Sequence, residues 1–350
     1  KDFEKSPGLF TLYRKKEAGR DTIYLELKED QLDQLFFLQA TASTGTAGAI
    51  IAGDPLADIL FKFSKSGDER ILMVTPNVNF TAAADSPIAR SVKRSFPDGY
   101  LDSFKIEARQ PERKSLLINV SEVFRSDMAQ LGLALGGYSL DKEKTYVATL
   151  KAFPDNLYVE TAYHFMRGST RASSLSSILG GGTSTLADPR SIPLRVNFNL
   201  FQIKDNGYRP RLADPRVGYF YTEYQDFTDD GADSQMVRYI LRWDIEKKDP
   251  KAAMSPPKKP IVFWMDHAIP TEYRPAVREG LLMWNKAFEK IGIKDAIEVK
   301  QMPDDADWDH ADMRYNVIRW STTQSPPYGA IALFRVNPLT GQILNAGITV

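Results

Sequence analysis

The sequence predicts an α+β protein, in which β-rich N-terminal modules precede a mixed sheet crossed by one long helix. Three observations predict it. Short apolar or alternating runs recur from residue 22 to residue 245, separated by Gly, Asp and Pro clusters, as successive strands require. Val277, Leu281, Trp284, Phe288 and Ile291 are spaced 4, 3, 4 and 3 residues apart, which puts them on one helical face. Around that helix the order strand, helix, strand, strand, hairpin suits a mixed sheet with the helix packed across it.

Residues 1–135 read as a β-rich N-terminal domain. In 22–28, Ile23, Leu25 and Leu27 alternate with Tyr24, Glu26 and Lys28, the period of a half-buried strand. Further strands are expected at 35–41, 59–63, 70–74, 104–108 and 115–120. Ser121 and Glu122 followed by Val123, Phe124, Met128, Leu131 and Leu135 predict a capped amphipathic helix or a pair of helical turns. Residues 140–250 read as a second β-rich domain. Its strands 146–153 and 157–165 are joined by the turn composition Pro154-Asp155-Asn156. A Ser/Gly-rich stretch at 167–188, including Gly180-Gly181-Gly182, is expected to be a mobile insertion between paired strands before strand 192–203. Runs 217–224 and 236–245 bracket an acidic loop, 226–233. Residues 247–260 hold Pro250, Pro256, Pro257 and Pro260 with five lysines, a composition expected of a domain linker. Residues 261–350 form the third segment: strand 261–266, helix 271–291 closed by Gly292, and strands 296–301, 316–321, 330–336 and 343–350, the last two joined by a tight turn at 337–341.

Composition excludes several functions. The 350 residues carry 45 Lys+Arg against 45 Asp+Glu, so no whole-chain charge draws the protein to nucleic acid or anionic membrane. The absence of cysteine removes disulfide frameworks, thiolate metal sites and a cysteine nucleophile. No apolar run reaches the roughly 18 residues of a membrane span. The chain opens at Lys1 without a signal-peptide pattern, so a leader either never preceded it or has been removed.

Three histidines bound the chemistry further: His164, His267 and His310. None has a second histidine within five residues, and His-Glu-x-x-His is absent, so a structural role is expected for each. An aspartate precedes both His267 and His310, which is the motif-level reason to consider them for catalysis or metal binding. The loop with Asp226, Asp229, Asp230 and Asp233 lacks the alternating order of a calcium loop, and a solvated hairpin tip is the simpler reading. The glycine triplet lacks the Gly-Lys-Ser/Thr of a phosphate loop, and Gly-x-Ser-x-Gly is missing. The basic runs 14–16 and 90–94 lack interleaved stacking aromatics and read as solvated faces.

From Asp214 onward the chain resembles a bacterial family of zinc-dependent metallopeptidases of the metzincin type, whose members carry N-terminal domains of unknown function. The resemblance rests on Asp214-Pro215-Arg216-Val217-Gly218-Tyr219-Phe220, Arg242-Trp243 and Pro257-Lys258-Lys259-Pro260-Ile261-Val262-Phe263. It continues through Trp284-Asn285-Lys286-Ala287-Phe288-Glu289 and Asp312-Met313-Arg314-Tyr315-Asn316-Val317-Ile318-Arg319-Trp320. Gly8-Leu9-Phe10 and the strands after it resemble the N-terminal domains more weakly.

The resemblance implies that residues 261–350 are the first half of a metzincin-like catalytic domain, and that the zinc motif follows Val350. Zinc in the intact family member, but no bound cofactor, metal ligand or catalytic residue in this chain, is therefore expected. The protein would be the N-terminal portion of a secreted, periplasmic or cell-surface peptidase, inactive alone. Its partners would be a peptide or protein substrate and the C-terminal remainder of the peptidase domain, with no nucleic acid and no membrane span. In the family an edge strand pairs with extended substrate, and the matching residues here are Ala330, Ile331, Ala332, Leu333 and Phe334. One departure is the turn Asn337-Pro338-Leu339-Thr340-Gly341-Gln342, where relatives commonly carry Asp-Pro-Arg-Thr-Gly-Glu; an ion pair or rim charge would be lost there. Two alternatives come from a different class: a non-catalytic β-rich binding or pro-region module that recruits substrate or blocks the cleft, and an adhesin or carbohydrate-binding sandwich with a decayed peptidase-like tail.

Overall fold

The alternating runs become strands in a computed structural model of the protein, which describes every residue except 1–2, 18–19, 47–49, 168–184, 230, 233 and 324–327. In chain order the elements begin β1 (Glu4–Ser6), β2 (Thr11–Lys15), β3 (Thr22–Lys28), β4 (Phe36–Ala42), β5 (Pro55–Ser66), β6 (Arg70–Thr75), β7 (Phe80–Thr81) and α1 (Pro87–Ser95). They continue through β8 (Gly99–Gln110), β9 (Ser115–Asn119), α2 (Ser121–Arg125), α3 (Leu131–Ala134), β10 (Tyr138–Leu140), β11 (Tyr146–Ala152), β12 (Asn156–Arg167) and β13 (Ser191–Gln202). The remainder are β14 (Tyr221–Asp226), β15 (Met236–Ile240), β16 (Ile261–Met265), α4 (Arg274–Leu282), α5 (Asn285–Glu289), β17 (Ile297–Gln301), β18 (Asn316–Arg319), β19 (Ile331–Val336) and β20 (Ile343–Thr349).

The chain divides into two compact units, Lys1–Pro76 with Gly99–Lys204 and Thr322–Pro327, and Asn77–Asp98 with Asp205–Ser321 and Tyr328–Val350. In the first, the strands run β1-β2-β3-β9-β8-β6-β5-β4-β13-β12-β10, with β11 also paired to β12. Neighbouring strands are antiparallel. Bulges at Ile106/Ala108, Met73/Val74, Ala40/Thr41 and Val147/Thr149 bend this sheet. It curls until its ends meet, for Leu9 N donates to Phe153 O and Arg14 Nη2 to Val147 O. The inward positions of the alternating strands share one core, including Leu12, Ile23, Leu25, Leu27, Phe36, Phe61, Phe124, Tyr163 and Phe198. Each buried aromatic or aliphatic side chain there contributes about 1.5–3 kcal/mol of transfer free energy.

The second unit holds a three-stranded sheet, β15-β14-β7, and a five-stranded sheet, β17-β16-β18-β20-β19. In the latter β17, β16, β18 and β20 are parallel, and β19 returns antiparallel at the edge. One face carries Phe263, Met265, Ile297, Val299 and Ile318 against Val277, Leu281 and Phe288 of the helices. The molecule is thus β-rich with a mixed sheet and helices, an α+β arrangement.

Two expectations about organisation differ from this structure. The expected boundary near 135–140 falls inside the first unit, because β10 to β13 extend the same sheet as β1 to β9 and bury their apolar faces in the same core. The expected linker 247–260 is folded into the second unit: Lys247 bridges Pro257, Ser255 bridges Ile293, and Trp243 and Ile245 pack on the same core as the five-stranded sheet. Polar composition was satisfied there by local hydrogen bonds, such as Lys258 N to Glu246 O and Lys247 Nζ to Ala252 O. The expected helix 271–291 is two helices. Where they join, Trp284 N donates to Leu281 O, a tighter turn; Leu282 packs on the core, and Trp284 and Ile291 are each 63% exposed. The pair of helical turns at 121–135 appears as α2 and α3, and the Ser/Gly insertion connects the paired strands β12 and β13, although 168–184 lie outside the described residues.

Candidate functional site

Strand β19 contains four of the five residues proposed to touch substrate, and Ala330 immediately precedes it. The register places Ile331 opposite Thr349, Ala332 opposite Ile348, Leu333 opposite Gly347 and Phe334 opposite Ala346. Alternation then puts Ala332 and Phe334 on the helix-bearing face, with Ile331 and Leu333 on the other. Ala330 and Ala332 are exposed, the other three half-buried. Among the described residues β19 pairs with β20 alone, so its outer side presents backbone N–H and C=O groups to an incoming strand.

The position of β19 depends on its turn. Asn337 N donates to Gln342 O, and Asn337 Oδ1 accepts from Leu339 N. Gly341 has φ of 73°, and a Cβ there would lie 2.6 Å from Ile240 O. Glycine is required both for the left-handed backbone and for the close approach. The same turn is tied to its neighbours because Arg242 N donates to Gly341 O, Ile343 N to Arg242 O, and Thr222 Oγ1 to Pro338 O. Gln342 is buried and accepts from Asn206 Nδ2 at 3.0 Å, so a neutral hydrogen bond occupies that position.

Side-chain amides set the rest of the sheet. Asn316 Nδ2 donates to Val262 O while its Oδ1 accepts from Ala346 N, which links β16, β18 and β20. Asn345 Nδ2 donates to Met313 O and Tyr315 O. Asn285 bonds both the N–H and the C=O of Ile297, fixing α5 against β17. Beside the edge strand, the Phe220 ring meets that of Phe334 edge-on, with centroids 5.9 Å apart.

The histidines are not brought together into a ligand set. His164 sits in β12, its N–H donating to Thr145 Oγ1; His267 is half-exposed after β16 with Nε2 3.9 Å from Asp266 Oδ1; and His310 lies in the loop before β18. Among the described residues no group of three or more His, Cys, Asp or Glu side chains is placed to hold a metal. Asp226 Oδ1 accepts from Thr228 N and Oγ1, and Asp229 Oδ1 from Gly231 N, so these carboxylates cap their own hairpin. Asp230, Asp233 and the Gly180 triplet lie outside the described residues. No helix is long and apolar enough to cross a membrane, among the described residues.

Spacing alone gave no warning of a second feature. On the outer sheet face of the first unit, a cavity of about 600 Å³ is lined by Phe3, Tyr13, Tyr24, Leu117 and Arg113, with Glu26 in its wall. Glu26 is 9% exposed and accepts from Tyr13 OH at 2.7 Å, Arg113 Nε at 2.7 Å and Ser115 Oγ at 2.6 Å. Burial pushes its carboxyl up, but the hydrogen bonds from Ser115, Tyr13 and Arg113 outweigh this and hold it below the usual range. Its partners are 13, 87 and 89 residues away in sequence, so only the outward place of Glu26 between Leu25 and Leu27 marks it.

Comparison with known proteins gives one match. A family described as a domain of unknown function (DUF5117) matches residues 53–248, more than half of the chain. No curated protein and no solved structure matches.

Proposed function

The chain belongs to the DUF5117 family of domains of unknown function; from the sequence resemblance and the place of β19 we propose that it supplies the N-terminal modules and the peptide-binding frame of a secreted, periplasmic or cell-surface zinc-dependent peptidase of the metzincin type. The observation that carries the reading is the edge position of β19, antiparallel beside four parallel strands, at the residues the resemblance assigns to substrate. An extended peptide laid along that edge would gain main-chain hydrogen bonds, with side chains alternating to the two faces. Trp320, Phe334 and Ile348 are partly buried on the helix-bearing side, the side where this reading would seat a zinc helix.

The described residues of this chain do not fit zinc, since no three candidate ligands converge, and no chemical step is assigned to them. What they do is hold β19 at the edge of its sheet. Asn316, Asn345 and the glycine turn fix its partner strands, so the edge is preorganised before peptide arrives.

The test reads the gene past the codon for Val350, where a stop codon would overturn the reading, and compares any longer product with residues 1–350. The longer product is expected to cleave peptides, to lose activity to a chelator and to recover it with zinc, while 1–350 binds no stoichiometric zinc and cleaves nothing. Chelator-insensitive cleavage, or zinc held by 1–350, would overturn the reading. A longer product with no peptidase activity would favour the non-catalytic binding or pro-region module.

A further inference from the structure

The segment leading into β14 carries an exposed apolar surface on a firmly held backbone. Tyr219, Phe220 and Tyr221 are consecutive, and Phe220 is 75% exposed. Tyr219 N donates to Val217 O, and Leu241 N donates to Phe220 O, so the ring stands on a segment tied into the three-stranded sheet. Arg238 covers Tyr221, its guanidinium 5.1 Å from the ring centre. Phe220 instead stands edge-on to Phe334 at 60°. Phe334 shares its strand face with Ala332, an exposed position two residues along.

A peptide added to the outer edge of β19 would send every second side chain to that face. Directly opposite residues in paired strands have Cβ atoms about 5 Å apart, within reach of Phe334 and of a long side chain's contact with the ring beyond it. A large apolar side chain would cover both rings, whereas alanine would leave them wet. The edge supplies affinity that ignores sequence, and the two rings supply the difference between sequences.

We propose that Phe220 and Phe334 form an apolar side-chain subsite through which β19 selects extended peptides bearing a large aliphatic or aromatic residue. The inference rests on the reading of β19 as the peptide-binding edge, and it gives a specificity role to a residue inside the DUF5117 stretch.

The experiment measures binding of dye-labelled extended peptides to residues 1–350 by fluorescence anisotropy. Polar host peptides differ only in one central residue, Phe, Leu or Ala, and a matched Phe peptide carries N-methyl groups on alternate amides. Phe and Leu peptides are expected to bind about five- to tenfold more tightly than the Ala peptide, the scale of one covered apolar side chain. F220A should bring that ratio to within about twofold, and F220W should restore it. Because Phe220 is largely exposed, F220A is expected to unfold at the wild-type denaturant concentration, which is measured alongside. A preference that survives F220A, with N-methylation still weakening binding, overturns the subsite alone. Binding insensitive to N-methylation, or no binding of any peptide, overturns the edge-strand reading and the subsite with it.

Discussion

Replacing Gly341 with alanine tests how the edge strand is held. The residue has φ of 73°, where a Cβ costs about 1–2 kcal/mol. The new atom would also lie 2.6 Å from Ile240 O and 3.1 Å from Tyr239 O. These are backbone oxygens of β15, itself paired to β14, so no side-chain rotation relieves the overlap. Overpacking of this kind adds about 1–3 kcal/mol, which brings the expected destabilisation to about 3 kcal/mol. All five tryptophans, Trp243, Trp264, Trp284, Trp308 and Trp320, lie in the second unit, so tryptophan fluorescence follows its unfolding selectively. With a urea slope of about 2 kcal/mol/M, the G341A midpoint should fall by about 1.5 M. A fall below about 0.3 M would show that the turn relaxes freely and that contacts with 239–242 do not position β19.

Two further outcomes concern titration. In the first unit E26Q should cost about 2 kcal/mol at pH 7, because three donors lose their carboxylate. The folded carboxyl titrates below its ordinary value of 4.5, so its stabilisation is complete above that pH and is lost as pH falls through the lower folded value. The gap between wild type and E26Q, read by urea unfolding with circular dichroism, should therefore narrow from pH 7 to pH 3, and a constant gap would refute the ionised network. In the second unit, burial and then the Tyr239 hydroxyl push Tyr224 up to about 12. Its contribution is complete below pH 10 and is lost as pH rises toward 12, so Y224F should lose less tryptophan-detected stability than wild type between pH 9 and pH 12.

Strands were legible in the sequence because period-two alternation is a local property, and the burial of Ile23, Leu25 and Leu27 follows directly from it. Domain boundaries were not, since they depend on which distant strand completes a ladder. Strand β13 pairs with β4, more than a hundred residues earlier, and nothing in 191–202 names that partner. The prolines and lysines of 247–260 misled for the same reason: composition reports the backbone conformations a segment avoids, not whether its hydrogen bonds are met by neighbours, as those of Lys247 and Ser255 are. On the long helix, the spacing of Val277, Leu281 and Phe288 placed these side chains correctly. Trp284 and Ile291, read onto the same face, are exposed where two short helices stand in place of the one expected.

The candidate site divides along the same line. The strand 330–336 was legible because it is a short apolar run beside a tight turn, whereas its place at the sheet edge and the assignment of 330–334 to substrate came from the resemblance alone. The aromatic pair was missed because Phe220 and Phe334 meet only through the tertiary fold, 114 residues apart in chain order. Backbone recognition by an edge strand needs no particular side chains, but it needs a strand left at the edge, which only the completed ladder decides. Discrimination between peptides needs side chains converging from separate elements, and such convergence exists only after β14 and β19 have been placed in one unit.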